Sequence, residues 1–351
     1  MKKDNYFDNR NYLATEKLRA IRKELPNICN EFFVGIESRT SALTRLGYAE
    51  DLKVFFYFLT TEINGFIGMN VAAIDFSALE RITTTNIESF LEYLSHYKYN
   101  GKILSNSLKT KARKLTSIRS FFKYNFNKNN IDCDNASKVL TPKLHDKAII
   151  RLDGDEVDDL LASVEGGKCF NTNNQNAYAE RTALRDQAIL TLFLGTGIRI
   201  SELVGLNIDD IDFKKNQFLV TRKGGNQSIL YFSDEIAVAL LSYLEERERK
   251  NLIEDYPAMF LSLQKNRICV RAVENLVKKY AKVVTPLKNI TPHKLRSTYG
   301  TALYQATNDI YVVAEVLGHK DINTTKKHYA AISEDIKREA SNKVALHKKL
   351  Q

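Results

Sequence analysis

The sequence predicts two domains, an all-α first domain and a mostly helical α+β second domain with a small antiparallel sheet. Three observations lead there. The chain has 351 residues, more than one typical core and enough for two. Helical spacing of apolar residues dominates it, and 44% apolar composition can fill two cores. The period changes to strand alternation in one place, between Ile208 and Phe232.

The elements follow in order. Tyr48, Leu52, Phe55, Phe56 and Leu59 recur at helical spacing. A second helix is expected over Thr85–Tyr97, with Ile87, Phe90, Leu91 and Leu94 on one face. A third runs over about Ser105–Asn125, with Leu108, Ala112, Leu115, Ile118, Phe121 and Phe122 as its apolar side. Asp132–Asp146 is polar with little periodicity, as linkers are. The expected division is a first domain at 1–140, a linker at 141–152 and a second domain at 153–351.

That second domain opens on Asp153-Gly-Asp-Glu, acidic residues that suit a first helical turn. A polar loop is expected over Glu165–Gln175. An apolar helix over Arg181–Leu194 then stops at Gly195-Thr196-Gly197. Ile211 and Phe213 alternate with Asp210, Asp212 and Lys214. Two further apolar runs flank Gly224-Gly225-Asn226, which reads as a hairpin turn. Helical periods return after Ser233.

Charge narrows the partner. There are 52 basic and 42 acidic residues, a formal net charge of +10. A basic chain suits a polyanion, either nucleic acid or an anionic membrane. The longest strongly apolar stretch, Ala188–Leu194, is too short to span a bilayer, and no apolar segment follows the charged start as in a signal peptide. Cys29, Cys133, Cys169 and Cys269 form no metal or disulfide spacing and read as free thiols in a reducing cytoplasm. Between Tyr93 and Ile131 stand nine Lys or Arg and no Asp or Glu. A solvated helix face usually mixes signs, whereas a single-sign run suits phosphates. Lys109, Lys111, Arg113, Lys114 and Arg119 are therefore candidate DNA-binding residues.

The chemistry rests on a set of residues read jointly. Arg199 follows the Gly-Thr-Gly turn, near a helix N-terminus. Lys223 is placed at the hairpin tip. His293 and Arg296 lie three apart after Pro292, which starts helices well. His319 follows Gly318, placed to end the helix Ile310–Leu317. Tyr329 comes ten residues after His319. Singly, each has an ordinary structural explanation, and Tyr329 alone reads as a core aromatic.

Jointly they suit phosphodiester transfer. In-line attack builds charge on the non-bridging phosphate oxygens, and the planar arginine fork binds two oxygens at once. Two arginines and two histidines could clamp that charge by preorganised hydrogen bonds, the work a metal ion does in other nucleases. Neither a metal nor another cofactor is expected. A tyrosine hydroxyl, with a free pKa near ~10, needs help to lose its proton. The leaving 5′ oxygen needs a proton, which a lysine can give.

The order Arg199, Lys223, His293-x-x-Arg296, His319, Tyr329 resembles the active site of the tyrosine recombinase and integrase family. The phrases Thr196-Gly-Ile-Arg-Ile-Ser-Glu-Leu, Thr291-Pro-His-Lys-Leu-Arg and Leu317-Gly-His match as well. The resemblance covers roughly residues 150–340. Thr44-Arg-Leu-Gly-Tyr-Ala-Glu-Asp-Leu-Lys-Val-Phe-Phe resembles the core-binding domain of the Xer subgroup, nearest to its single-chain XerS type. One departure is Ser297, where the family usually has His.

The resemblance implies the tyrosine recombinase fold, clamped around double-stranded DNA, with Tyr329 as nucleophile. It implies that Arg199, His293, Arg296 and His319 hold the phosphate. Lys223 would act as general acid, and His293 would assist proton transfer from Tyr329. Glu202 matches an acidic position of the family and is expected to orient the site. Four protomers would exchange strands on two sites through a Holliday junction, with a C-terminal helix over Glu334–Lys348 docking on a neighbour. An accessory regulator is a further expected partner, and a bacterial cytoplasm the expected location.

Two competing readings are an integrase of a mobile element and a non-catalytic DNA-binding protein. The second should show decay in the catalytic set, and none appears. About 40 residues precede the helix near Tyr48, too few for an added arm-binding domain, which favours an Xer-like enzyme.

Overall fold

The computed structural model describes residues 6–144, 150–165, 173–222, 225–250 and 257–318. Lys223, His319, Tyr329, Cys169 and the expected helix Glu334–Lys348 lie outside the described residues. The chain divides into two compact units, Asp4–Lys147 and Ala148–Gln351.

The first unit is helical. Its elements are α1 (Tyr6–Arg22), α2 (Cys29–Gly35), α3 (Ala42–Glu62), α4 (Phe76–Glu80), α5 (Thr84–Tyr93), α6 (Leu108–Asn127) and α7 (Asn135–Lys138), with a hairpin of β1 (Tyr97–Tyr99) and β2 (Lys102–Leu104). Several helix starts carry side-chain caps, which satisfy backbone N–H groups that have no partner within the helix. Ser41 Oγ accepts the Thr44 N–H at 3.2 Å, and Ser107 Oγ that of Thr110 at 3.3 Å. Thr83 and Asn86 cap α5 reciprocally. Helices α1, α5 and α6 pack on α3. The core is aromatic: Phe32, Phe55, Phe56, Phe90 and Phe121 are fully buried. Several meet edge to face, as Phe55 and Phe90 do at 5.1 Å.

Two expectations change here. The helix expected to reach Tyr97 stops at Tyr93, and Tyr97 enters β1. Asn100 and Gly101 both take positive φ, the two-residue turn that Asn-Gly favours. The stretch from Asp132, read as linker-like, instead packs on the first unit. Asp134 caps α7, and Ile131, Ala136 and Val139 are buried in the same core as Phe121.

The second unit is mostly helical around α9 (Asn173–Thr196), which begins two turns before the expected Arg181. Ala188, Ile189, Leu190, Leu192 and Phe193 on it are fully buried, which explains the near-continuous apolar run. Helices α8 (Gly154–Glu165), α11 (Asp234–Arg249) and α13 (Pro292–Thr307) pack against α9, and α12 (Val270–Val284) packs on α8. The remaining α-helices among the described residues are α10 (Ile200–Gly205) and α14 (Ile310–Leu317).

The sheet has order β3 (Ile211–Asp212), β4 (Gln217–Thr221), β5 (Gln227–Tyr231), all antiparallel. In its register Phe218 faces Leu230 and Val220 faces Ser228. Phe218, Val220 and Leu230 point to the core while Ile229 and Tyr231 face outward. Among the described residues no helix is long and apolar enough to cross a membrane.

Candidate active site

The site is built where three chain segments meet the end of α14. The first is the exit of α9. Gly197 takes φ +61, and a Cβ there would lie 2.5 Å from the Tyr299 ring and 2.9 Å from Leu317. Glycine alone fits both the left-handed backbone and that approach. The tight turn swings Arg199 into the cap position of α10. The carboxylate of Glu202, almost wholly buried, accepts the Arg199 backbone N–H at 3.0 Å and its Nη1–H at 2.8 Å. The other end of the guanidinium, Nη2, donates to the carbonyls of Leu317 at 3.1 Å and Gly318 at 2.9 Å.

The second segment is α13. Pro292 stands in its first turn, and Arg296 follows His293 by three residues. Arg296 is buried and His293 exposed. Arg296 donates through Nη1 to Gly197 O and through Nη2 to Leu317 O. Both arginines thus hold the last carbonyls of α14, where the negative end of the helix dipole favours cations. Gly318 closes that helix at φ +59. His319 is the next residue.

The third segment is the end of β4, and here the sequence reading missed a residue. Arg222, just before Lys223, donates through Nη2 to Val316 O at 3.0 Å. Its guanidinium lies against Gly318, where an added Cβ would strike Arg222 Nη1. Burial pulls the Arg222 pKa below its ordinary value; Glu202 opposes that shift and Arg199 adds to it. The signal was present as Arg beside Lys in the hairpin, but its partner is 94 residues away.

Of the expected site residues, the structure thus gathers Arg199, Glu202 and Arg296 at one point, with His293 on the outer side of α13. A cluster of three guanidinium groups, with the Glu202 carboxylate bound to Arg199, is suited to binding an anion.

The basic run on the first unit divides. Lys114 is buried, its Nζ 3.0 Å from Asp51 Oδ1, and so has almost no surface to offer a phosphate. Arg113 makes a two-pronged pair with the same carboxylate at 2.5 and 2.7 Å, though its side chain is half exposed. Arg119 donates to Ala136 O, Val139 O and Thr141 Oγ1, holding the end of the first unit. Lys111 donates to Ser95 Oγ at 2.6 Å. Lys109 is exposed, as are Lys98, Lys102, Lys123 and Lys128. The absence of acidic residues nearby in sequence therefore reflects, in part, a carboxylate supplied by α3.

Comparisons with known proteins show the family and the fold. Residues 151–335 match the model of the phage integrase family. The tyrosine recombinase XerC of Caldanaerobacter subterraneus subsp. tengcongensis is 33% identical over 330 residues, covering 91% of this chain and 86% of that protein. The tyrosine recombinase XerD of Lacticaseibacillus casei is 27% identical over 295 residues, covering 84% and 89%. Two solved structures share the fold. The XerH site-specific recombinase bound to a palindromic difH substrate has a TM-score of 0.61 at 17% identity, covering 97% of this chain and 98% of that one. The Tn1549 transposon integrase with circular intermediate DNA has a TM-score of 0.59 at 22% identity, covering 87% and 95%. With a family model matched over residues 151–335 and a tyrosine recombinase 33% identical along 91% of its length, this chain belongs to the phage integrase family, among the tyrosine recombinases.

Proposed function

We propose that this site-specific recombinase cuts and rejoins DNA with Tyr329 as nucleophile. The observation that carries the reading is the sharing of Leu317 O by Arg199 and Arg296, one residue before Gly318 and two before His319. Such a cluster of preorganised donors lowers the barrier for a reaction that builds charge on phosphate oxygens.

In this reading Tyr329 Oη attacks the scissile phosphorus and gives its proton to His293. The bond from phosphorus to the 5′ oxygen breaks, and Lys223 Nζ supplies the proton that oxygen takes up. Arg199, Arg296 and His319 hold the non-bridging oxygens, and Glu202 fixes the Arg199 fork. The product is a 3′-phosphotyrosine that keeps the energy of the broken ester, so a new 5′ hydroxyl can reseal the strand by the reverse steps without ATP. The relatives' names favour an Xer-like role over that of a mobile-element integrase. Assembly of four protomers on two sites, exchange through a Holliday junction, an accessory regulator and a bacterial cytoplasm belong to the same reading, as does phosphate contact by the exposed Lys109 and Arg113.

Sequencing the DNA trapped on the protein in cells identifies the site, and a duplex carrying it, nicked beside the cleavage point, serves as a suicide substrate. Wild type should form a covalent adduct on denaturing gels without Mg²⁺ or ATP, and Tyr329→Phe should form none. An adduct with Tyr329→Phe, or a strict metal requirement, overturns the mechanism.

A further inference from the structure

We propose that Arg222 is a third arginine of the phosphate-binding site, one of its free N–H groups donating to a non-bridging oxygen of the scissile phosphate. The proposal rests on the function given above.

Three observations carry it. Among the described residues, Arg222 Nε and Nη1 are buried and have no hydrogen-bond partner. Buried donors without acceptors are rare, and a guanidinium N–H left without one is suited to a phosphate oxygen. Second, the third nitrogen is fixed. Nη2 donates to Val316 O, the carbonyl next in line to those of Leu317 and Gly318 that Arg199 holds. The two guanidinium groups therefore sit side by side on consecutive carbonyls. Third, Arg222 lies near the like charge of Arg199, and the nearby carboxylate of Glu202 is bound to Arg199. Positive charge gathered in a partly buried place is relieved by an anion, which the scissile phosphate supplies.

Glycine at 318 is part of the same arrangement. Any side chain there would strike the Arg222 guanidinium, which lies against the bare backbone. The residue that ends α14 thus also leaves room for the third arginine.

The test compares Arg222→Ala, Arg222→Gln and Arg222→Lys with wild type on two suicide duplexes carrying the site recovered from the wild-type adduct. One has an ordinary scissile phosphate and the other a neutral methylphosphonate there. On the ordinary duplex, Arg222→Ala should slow adduct formation about 10²-fold, the usual effect of removing one donor to a developing oxyanion. Arg222→Gln should lose as much, and Arg222→Lys should recover part of the rate because it keeps the charge without the fork. On the methylphosphonate the ratio of wild type to Arg222→Ala should fall to near unity, because the charge it neutralises is gone. An equal loss on both duplexes means a structural role for Arg222 and overturns the proposal. So does wild-type speed in Arg222→Ala. A wild type that forms no adduct overturns the underlying function, and this proposal with it.

Discussion

Arg199 and Arg296 donate to the same acceptor, the carbonyl oxygen of Leu317. One arginine comes from the cap of α10 and the other from the buried side of α13. A single carbonyl at the end of α14 therefore sets the spacing of the two guanidinium groups, and the rest of the site can be probed through what holds them.

Glu202 fixes the Arg199 fork from the other side. Glu202→Gln keeps the side-chain volume but removes the charge that orients Nη1. Adduct formation on the suicide duplex should slow by about 10²-fold, the usual effect of a small misplacement of a reacting or stabilising group. Affinity for the same duplex, measured by gel shift, should change little. Equal loss in both assays would mean that Glu202 supports the fold rather than the arginine.

Gly197 is required twice, by its φ of +61 and by the closeness of Tyr299 and Leu317. In Gly197→Ala the left-handed backbone costs about 1–2 kcal/mol. The crowding adds about 1–3 kcal/mol, and moving Gly197 O removes an acceptor of Arg296. Thermal unfolding should show the lower stability, and cleavage should fall along with it. A stable and fully active Gly197→Ala protein would contradict the geometry of this turn.

Asp51 is buried under two cations and the Ser117 hydroxyl. Asp51→Ala leaves Lys114 buried without its anion and should cost about 3–5 kcal/mol of stability in the first unit, read by urea unfolding. Lys114→Met added to Asp51→Ala should recover much of the loss, because an apolar replacement removes the stranded charge. If the double variant is no better than the single one, the pair does not explain the cost.

Lys288 joins the entry to α8 to the chain before α13. Its Nζ lies 2.6 Å from Glu156 and 3.2 Å from Asp153. Partial burial pushes the Glu156 pKa up, but the Lys288 ammonium and the Asp153 backbone N–H outweigh it and the net shift is downward. A lowered folded-state carboxylate gives stability that is present above the ordinary Glu range and lost as pH falls through the lower folded value. Both side chains are partly solvated, so the effect is about 1 kcal/mol or less. Glu156→Gln should be slightly less stable than wild type at pH 7, and the difference should vanish in acid. A difference that grows on acidification would reverse the assignment.

What the sequence determined is what lies within a few residues of its cause. Pro292 opens α13 and Gly318 closes α14, while Gly195-Thr196-Gly197 puts Arg199 at a helix start, because caps and breakers act through neighbouring backbone. The Asn100-Gly101 turn is also local in origin, but helical periodicity around it hid the short hairpin. The change of period marked the sheet, since side chains of a strand alternate face by face. The ordered set from Arg199 to Tyr329 carried the family, as the comparisons bear out.

Only the tertiary structure decided which cations turn inward. Lys109 and Lys114 belong to the same basic run on α6, yet Lys109 is exposed and Lys114 lies against Asp51 on α3. It alone brought Arg222 beside Arg199 and put Arg199 and Arg296 on one carbonyl. These contacts join segments far apart in the chain, where no local spacing records the partner. A buried charge is settled by whichever opposite charge or carbonyl the packing brings within reach.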